Sequence, residues 1–161
     1  MRIIVVSDTH SMQGEDLPKE FLRACAGADL VLHAGDITSD AILDTIKKIN
    51  PALVAVCGNM DPLSLKKGLA EKEIIEVPPF RIGLTHGSGA PFNLIDYVKE
   101  KFIKDKVDCI VFGHSHTPYN EYHQGILLFN PGSLLDKFFS PYNSYGVLEV
   151  DKKITSTIVK I

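Results

Sequence analysis

The sequence predicts an α/β fold in which two mixed β-sheets pack face to face and helices cover their outer surfaces. In the first two thirds of the chain, short β-branched runs alternate with segments of helical period, which is typical of strand–helix–strand units and a mainly parallel sheet. Beyond Pro118 the helical segments stop, and strand-like runs separated by turn residues predict antiparallel hairpins. Two mixed sheets account for both halves.

Ten strands are predicted, each a short apolar or β-branched run bounded by turn residues. The first six are Arg2–Ser7, Leu30–His33, Leu53–Cys57, Glu73–Val77, Phe80–Thr85 and Asp108–Phe112. The last four, which have no helices between them, are Tyr119–His123, Leu127–Asn130, Tyr145–Val150 and Thr155–Ile161.

Three helices are predicted between the strands. The first begins at Pro18, a residue favoured in the first turn, and ends at Gly27. The second begins after Ser39, a predicted N-cap, and the third begins after Asn93, also a predicted cap. The second helix has an apolar side formed by Ile42, Leu43, Ile46 and Ile49, and the third has one formed by Leu94, Ile95, Val98 and Phe102.

Length and composition restrict the domain organisation and the partners. At 161 residues, 45% of them hydrophobic, the chain is expected to form one domain over residues 1–161. The net charge is −3 and the lysines are scattered, so long nucleic acid is not an expected partner. The apolar run from Ile3 to Val6 is too short for a signal sequence or a membrane span, and we expect a cytoplasmic protein with no membrane partner.

Five strand ends carry clusters of aspartate, asparagine and histidine. They are Asp8-Thr9-His10, Gly35-Asp36, Gly58-Asn59, His86-Gly87 and Gly113-His114-Ser115-His116. Because loops that leave the carboxyl ends of strands converge at one edge of an open α/β sheet, these side chains are expected to meet there. Together they are sufficient to surround two adjacent divalent cations, so the sequence predicts a dinuclear metal centre.

The spacing within two of the clusters supports this prediction. In extended backbone, a separation of two residues directs both side chains to the same side. Asp8 and His10 can therefore bind a single ion, and His114 and His116 repeat the arrangement.

Asp36 is the predicted bridging ligand, with one carboxylate oxygen facing each cation, because the preceding Gly35 permits close approach of the backbone. Asn59 would add a neutral amide oxygen. A mixture of imidazole, carboxylate and amide ligands without thiolate suits Mn²⁺, Fe²⁺, Co²⁺, Ni²⁺ or Zn²⁺, and Mn²⁺ is taken as the first candidate.

Each of these residues also has a structural interpretation, since an aspartate after a strand is more often a turn former or a helix cap than a ligand. Five clusters in this order favour the metal centre. His33 is instead expected to be a satisfied buried imidazole or a partner that orients a ligand. His123, in a predicted hairpin, is assigned no role.

The clusters resemble the motifs of the calcineurin-like metallophosphoesterases, and specifically of the small bacterial and archaeal phosphodiesterases of the YfcE type. The resemblance spans nearly the whole chain and includes the segments His33-Ala34-Gly35-Asp36, Gly58-Asn59-Met60-Asp61, Thr85-His86-Gly87 and Asn130-Pro131-Gly132-Ser133. It implies a four-layer αββα sandwich with two metal ions. The ligands implied for one ion are Asp8, His10, Asp36 and His116, and those for the other are Asp36, Asn59, His86 and His114.

The predicted function is hydrolysis of small phosphodiesters by a water that two divalent ions activate for in-line attack on phosphorus. Asp36, Asn59 and His86 are also assigned as the catalytic residues. Many relatives carry histidine at the position of Met60, where it is thought to protonate the leaving group, and methionine cannot do so. Substrates whose leaving group departs as a stable anion are therefore favoured, and Asp61 is interpreted as a structural residue or as a proton donor acting through water.

Two alternatives remain open. The retromer subunit Vps29, a eukaryotic relative of similar size, keeps the fold but serves as an assembly scaffold, and a phosphomonoesterase would use the same ligands. An apolar cluster of Phe138, Phe139 and Tyr142 is expected to pack on its own core or to form a homo-oligomer. The substrate pocket is expected to be lined by the loops 12–17, 62–70 and 88–92.

Overall fold

The structure is a computed structural model that describes residues 1–136 and 138–161. This part of the chain contains ten strands and four α-helices. The strands are β1 (Arg2–Val6), β2 (Leu30–His33), β3 (Leu53–Ala55), β4 (Lys72–Val77), β5 (Phe80–Thr85), β6 (Cys109–Val111), β7 (Tyr119–His123), β8 (Ile126–Asn130), β9 (Ser144–Val150) and β10 (Ile154–Lys160). The helices are α1 (Lys19–Ala26), α2 (Asp40–Ile49), α3 (Leu63–Gly68) and α4 (Leu94–Lys101). Two 3₁₀ turns lie at Gly14–Asp16 and Pro91–Asn93. All ten predicted strands are present, with bounds within two residues of those expected.

The strands form two five-stranded mixed sheets. In the first sheet the order is β10-β9-β1-β2-β3; β1, β2 and β3 are parallel, β9 is antiparallel to β1, and β10 is antiparallel to β9. In the second sheet the order is β4-β5-β6-β8-β7, with β5, β6 and β8 parallel and antiparallel strands at both edges. The two hairpins predicted in the last third are confirmed, and each joins a different sheet.

The side chains of β1 show how the layers are stacked. Ile3 and Val5 point into the apolar core between the sheets, whereas Ile4 and Val6 point outward to the core beneath α1 and α2. A third apolar cluster joins α4 to the outer face of the second sheet; it contains Leu94, Val98, Phe102, Ile110, Phe112 and Leu128. The result is the expected αββα sandwich, with two sheets face to face and helices outside.

The helix predictions are confirmed with some differences in detail. Ser39 caps α2 as expected, since its Oγ accepts a hydrogen bond from the Ala41 amide at 3.2 Å. Asn93 stands before α4 but makes no capping hydrogen bond with its side chain, because its backbone is already helical. Helix α3 lies inside an expected loop; it has six residues and buries only Leu65, which is too short for a periodic signal. Within the described residues, no helix is long and apolar enough to cross a membrane.

The topology sends five polar loops to one edge of the sandwich. The clusters predicted from the sequence follow the carboxyl ends of β1, β2 and β3 in the first sheet and of β5 and β6 in the second. Both groups of strands are parallel, so the loops from the two sheets meet across the top of the central core.

Candidate metal centre

Backbone hydrogen bonds tie the polar loops together. The Asp8 amide donates to the Gly35 carbonyl at 3.0 Å, and the Gly113 amide donates to the His86 carbonyl at 2.9 Å. Loops that follow four different strands are thereby fixed in pairs. All seven side chains predicted to be ligands, Asp8, His10, Asp36, Asn59, His86, His114 and His116, lie in this region.

One group of four side chains is close enough together to hold a single metal ion. Asp8, His10, Asp36 and His116 each present one donor atom, and these atoms all lie within 4.8 Å of one another. The His10 Nε2 and His116 Nε2 atoms are 3.0 Å apart, and His116 Nε2 is 3.3 Å from Asp8 Oδ1. Ligand atoms bound at about 2.1 Å to a shared ion are separated by distances of this order, so the group can hold one divalent cation.

A second group lies beside the first. Asn59 Oδ1 is 2.9 Å from His114 Nδ1 and 3.1 Å from His86 Nε2. His86 Nε2 is in turn 3.3 Å from Asp36 Oδ2. The four side chains of the second predicted ligand set are therefore also brought together.

Asp36 joins the two groups through a single oxygen atom. Its Oδ2 atom lies 3.7 Å from His10 Nε2 on one side and 3.3 Å from His86 Nε2 on the other. The Oδ1 atom instead accepts a hydrogen bond from the Met60 amide at 2.7 Å. The expectation of one oxygen for each cation stays a prediction, since Oδ2 is the oxygen found between the two groups and Oδ1 accepts from Met60.

The hydrogen bonds of two histidines determine where their lone pairs point. His86 Nδ1 is 2.7 Å from the Ala34 carbonyl, and His114 Nε2 is 2.8 Å from the Gly89 carbonyl. A carbonyl oxygen only accepts, so both of these nitrogens carry a proton, and in the neutral rings His86 Nε2 and His114 Nδ1 are acceptors. Both acceptors face Asn59 Oδ1, which is also an acceptor. A cation between them would attract all three acceptor atoms, whereas neutral acceptors cannot form hydrogen bonds with one another.

His116 is oriented by a carboxylate that the sequence analysis did not identify. Its Nδ1 donates a hydrogen bond to Asp136, which directs Nε2 toward His10. Asp136 lies in the loop after β8, and its amide donates to Ser133 Oγ, which itself donates to the Asp8 carbonyl at 2.6 Å. The nearest motif in the sequence is Asn130-Pro131-Gly132-Ser133, which does not include Asp136.

Asp8 provides a direct test of whether these residues fit a metal ion. The residue is fully buried, and Oδ1 makes no hydrogen bond to any described residue; His116 Nε2, 3.3 Å away, does not meet hydrogen-bond geometry. A buried carboxylate oxygen without a partner is costly, by roughly 1–3 kcal/mol or more. This oxygen points into the first group, where a bound cation would supply the missing partner. The residues therefore fit a divalent metal.

Charge coupling in the site shifts several pKa values. The Asp8 carboxylate is the largest cause that raises the pKa of His116 to about 9, with burial acting against it and Asp136 adding to it. Burial lowers the pKa of His86, but Asp36 and Asp8 outweigh burial and raise it overall. Burial would raise the pKa of Asp36, but its contacts with His86 lower it.

The backbone at the site is left-handed at five of the seven predicted ligands. The φ angles are 52° at Asp8, 45° at His10, 51° at Asp36, 72° at His114 and 56° at His116. The extended backbone expected for the two spaced pairs is therefore wrong, although both pairs do converge. Left-handed backbone costs a non-glycine residue about 1 kcal/mol or more, and such strain is concentrated at functional sites.

Asp61 fixes the loops that carry Asp36 and Asn59. Its Oδ1 accepts hydrogen bonds from the Ile37 and Thr38 amides at 2.6 and 2.7 Å, and its Oδ2 accepts one from the Gly58 amide at 2.7 Å. Both oxygens are occupied and the residue is buried. The geometry therefore favours the structural interpretation of Asp61 over that of a proton donor.

His33 belongs to neither group of ligands. It is fully buried, its Nδ1 accepts from the Gly35 amide at 3.3 Å, and its Nε2 lies 3.3 Å from Thr9 Oγ1. Burial lowers the pKa of His33 to about 3, so the ring is neutral. This agrees with the expectation of a satisfied buried imidazole.

Two cavities open beside the metal groups, and Asn59 lines both. The larger, of about 590 Å³, is lined by His10, Asp36, Asn59, Met60, His114, His116, Leu135, Asp136, Phe138 and Phe139. The smaller, of about 280 Å³, is lined by Cys57, Gly58, Asn59, Lys66, Glu71, Thr85, His86, Gly87, Ser88, Tyr97 and Lys101.

The cavity walls differ in part from the loops expected to form them. Lys66 and Ser88 come from two of the expected loops, but residues 12–17 line neither cavity. Gly14 is buried against α2, where a Cβ would lie 1.9 Å from Thr45 Oγ1, so that loop is part of the packing. The loop after β8 lines the larger cavity instead.

Known proteins share both sequence and fold with this chain. Residues 1–153 match the family model described as the calcineurin-like phosphoesterase superfamily domain. A probable metallophosphoesterase of Methanocaldococcus jannaschii is 36% identical over 164 residues, which cover 100% of this chain and 82% of that protein. A phosphodiesterase of the same organism is 26% identical and matches 99% of each chain. Among solved structures, a single mutant of Vps29 from Entamoeba histolytica matches with a TM-score of 0.79 at 23% identity, covering 100% of this chain and 99% of that one.

Proposed function

This chain belongs to the calcineurin-like phosphoesterase superfamily, and we propose that it is a hydrolase of small phosphodiesters that uses two divalent metal ions. The observation that carries the proposal is the buried Asp8 Oδ1 atom, which has no hydrogen-bond partner among the described residues and lies near the ring nitrogens of His10, His86 and His116. Without a cation there, only the charge of neighbouring histidines, His116 above all, would offset the cost of burying this carboxylate.

The proposed ligands form two sets that share one residue. Asp8, His10, Asp36 and His116 would hold the first ion, and Asp36, Asn59, His86 and His114 would hold the second. The position of Asp36 Oδ2 between His10 and His86 supports a shared ligand. Because the proposed ligands include no thiolate, Mn²⁺ is the first candidate for the bound metal, and Ni²⁺, Fe²⁺, Co²⁺ and Zn²⁺ are alternatives.

The two ions, when bound, activate water for in-line attack on phosphorus and neutralise charge on the phosphoryl oxygens. The chain's own residues set the geometry of that chemistry. Asp36, Asn59 and His86 are the proposed catalytic residues, because Asn59 lines both cavities, Asp36 the larger and His86 the smaller, so a phosphorus held near Asn59 would be close to all three. Asn59 is neutral, which limits negative charge where an anionic substrate must bind.

The two cavities favour a diester over a monoester. A diester carries two ester groups on one phosphorus, and the site offers separate spaces on either side of Asn59. Met60 lines the larger cavity and is 61% exposed, and a thioether cannot protonate a leaving group. Substrates whose leaving alcohol is acidic are therefore favoured.

Rates on a matched diester and monoester test the proposal. Protein purified with Mn²⁺ should hydrolyse bis(p-nitrophenyl) phosphate faster than p-nitrophenyl phosphate. Asp36→Ala should abolish the activity, whereas Asp44→Ala, at an exposed position on α2, should retain it. A faster monoester reaction would favour the phosphomonoesterase alternative, and equal turnover by Asp36→Ala would overturn the proposed site.

The scaffold alternative is favoured by fold alone, because the likeness to Vps29 is at 23% identity. We propose instead that residues 1–161 form one catalytic domain in the cytoplasm that acts on a small substrate, with no long nucleic acid and no membrane as partner. A stable stoichiometric protein partner, together with no hydrolysis across a panel of metals and phosphoesters, would favour the scaffold.

A further inference from the structure

We propose that Phe138 and Phe139 form an aromatic wall that binds an aromatic ring in the substrate, as found in a nucleobase or an aryl ester. This inference rests on the proposed function, since it assigns the ester group that fills the larger cavity. Phe138 and Phe139 would then determine the substrate specificity of the site.

The two rings are placed where the fold makes no use of them. Phe138 is 87% exposed and Phe139 is 81% exposed. Neither residue belongs to any of the three apolar clusters formed by the described residues. Exposed apolar side chains scattered over a surface are ordinary, but adjacent ones at the mouth of a polar site indicate binding.

The wall is continuous with the metal centre. The cavity of about 590 Å³ is lined both by four apolar side chains, Met60, Leu135, Phe138 and Phe139, and by predicted ligands. The Phe139 ring lies edge-on to the His116 ring, with centroids 6.3 Å apart. A volume of this size suits a small ligand, and a ring in it would be joined directly to a phosphorus near Asp36.

Asp136 holds the wall in place. Its Oδ1 accepts hydrogen bonds from the Phe138 amide at 2.7 Å and from the Phe139 amide at 3.2 Å. The same carboxylate accepts from His116 Nδ1, so the two aromatic residues and the metal centre share one anchor. A preordered wall of this kind binds without the cost of ordering a free loop.

The two cavities differ in their lining. Among the residues that the structure describes, Lys66 and Lys101 line the smaller cavity, whereas the apolar side chains of the larger one include both phenylalanines. Two neighbouring phenyl rings offer flat faces and edges that favour another aromatic group over an aliphatic chain.

Binding of three phosphonates that differ in a single group tests the inference. The probes are the monomethyl esters of phenylphosphonate, cyclohexylphosphonate and methylphosphonate, titrated by NMR into the Zn²⁺-loaded protein. We expect the phenyl compound to bind about 3- to 10-fold more tightly than the cyclohexyl compound, as aromatic pairing predicts. Phe138→Ala and Phe139→Ala should each reduce that preference, and Phe92→Ala should not, since Phe92 is 84% exposed and lines neither cavity.

The possible outcomes separate this inference from the proposed function. A phenyl preference that the two variants lose would support the wall, whether or not diesters are hydrolysed. A lack of diester hydrolysis would count against the proposed function alone. Hydrolysis without a phenyl preference would overturn the wall alone. Sedimentation that shows a dimer which Phe138→Ala dissociates, together with no phenyl preference, would overturn it in favour of a homo-oligomer interface.

Discussion

His116 donates a hydrogen bond from Nδ1 to the carboxylate of Asp136, a residue that also fixes the backbone of the two exposed phenylalanines. In metal sites, a carboxylate on the far nitrogen of a histidine fixes the ring's tautomer and increases its basicity as a ligand. The contact therefore relates the strength of metal binding to a loop that lies outside the predicted ligand clusters.

Removing that carboxylate should weaken metal binding. For Asp136→Asn we expect about 10- to 100-fold lower affinity for one of the two Mn²⁺ ions, since the amide is a weaker acceptor for His116 Nδ1. Calorimetric titration of metal-free protein measures this, and Asp151→Asn, at an exposed turn between β9 and β10, is the matched control. Unchanged affinity for both ions would show that the carboxylate does not support the ligand.

Stability of the metal-free protein should depend on the charge of His116. Its folded-state pKa of about 9 lies above the ordinary value of 6.5, so the stabilisation is complete below pH 6.5 and is lost as pH rises through 9. Thermal unfolding with chelator present should therefore show a falling Tm over this window, and His116→Ala should show a smaller fall. Metal affinity should rise over the same window, because binding requires Nε2 without its proton. A Tm slope equal in the variant and in the parent protein would contradict this assignment.

Asp61 is expected to act on the site through the backbone. Asp61→Asn replaces one carboxylate oxygen with an NH2 group, which cannot accept from the Gly58 N–H group or, with the amide turned over, from those of Ile37 and Thr38. We expect a loss of about 1–3 kcal/mol in the free energy of unfolding, measured with denaturant, together with weaker metal binding. The exposed substitution Asp44→Asn provides the comparison, and equal stability of the two variants would show that these hydrogen bonds contribute little.

Introducing histidine at position 60 should change which leaving groups the proposed hydrolysis tolerates. Met60 lines the larger cavity, and its amide already fixes Asp36, so Met60→His adds a proton donor without removing that contact. We expect roughly a tenfold gain in kcat/KM for a diester with an alkyl leaving group and little change for p-nitrophenolate. Met60→Leu should show neither effect. Equal changes for both leaving groups would indicate that the new side chain alters binding and not proton transfer.

The sequence was sufficient to predict the sheets and the positions of the predicted ligands. Asp36 and His86 each follow a short apolar strand, and parallel strands bring such loops to one edge whatever the detailed backbone. Local patterns of this kind are readable because hydrophobic periodicity defines where each strand ends.

The remaining details depend on contacts between distant segments. Asp136 is twenty residues from His116 and carries no local pattern that marks it, so its role emerges only from the packed loops. The single-oxygen geometry of Asp36 depends on the Met60 amide, which a sequence pattern does not position. The left-handed backbone at Asp8 and His10 likewise needs the surrounding hydrogen bonds to hold it.

Electron paramagnetic resonance of the protein titrated with Mn²⁺ tests whether two ions lie side by side and share Asp36. With two equivalents of Mn²⁺ we expect the spectrum of an exchange-coupled pair, which Asp36→Ala should convert to that of isolated ions. Isolated Mn²⁺ signals from the parent protein at every ratio of metal to chain would contradict the dinuclear site.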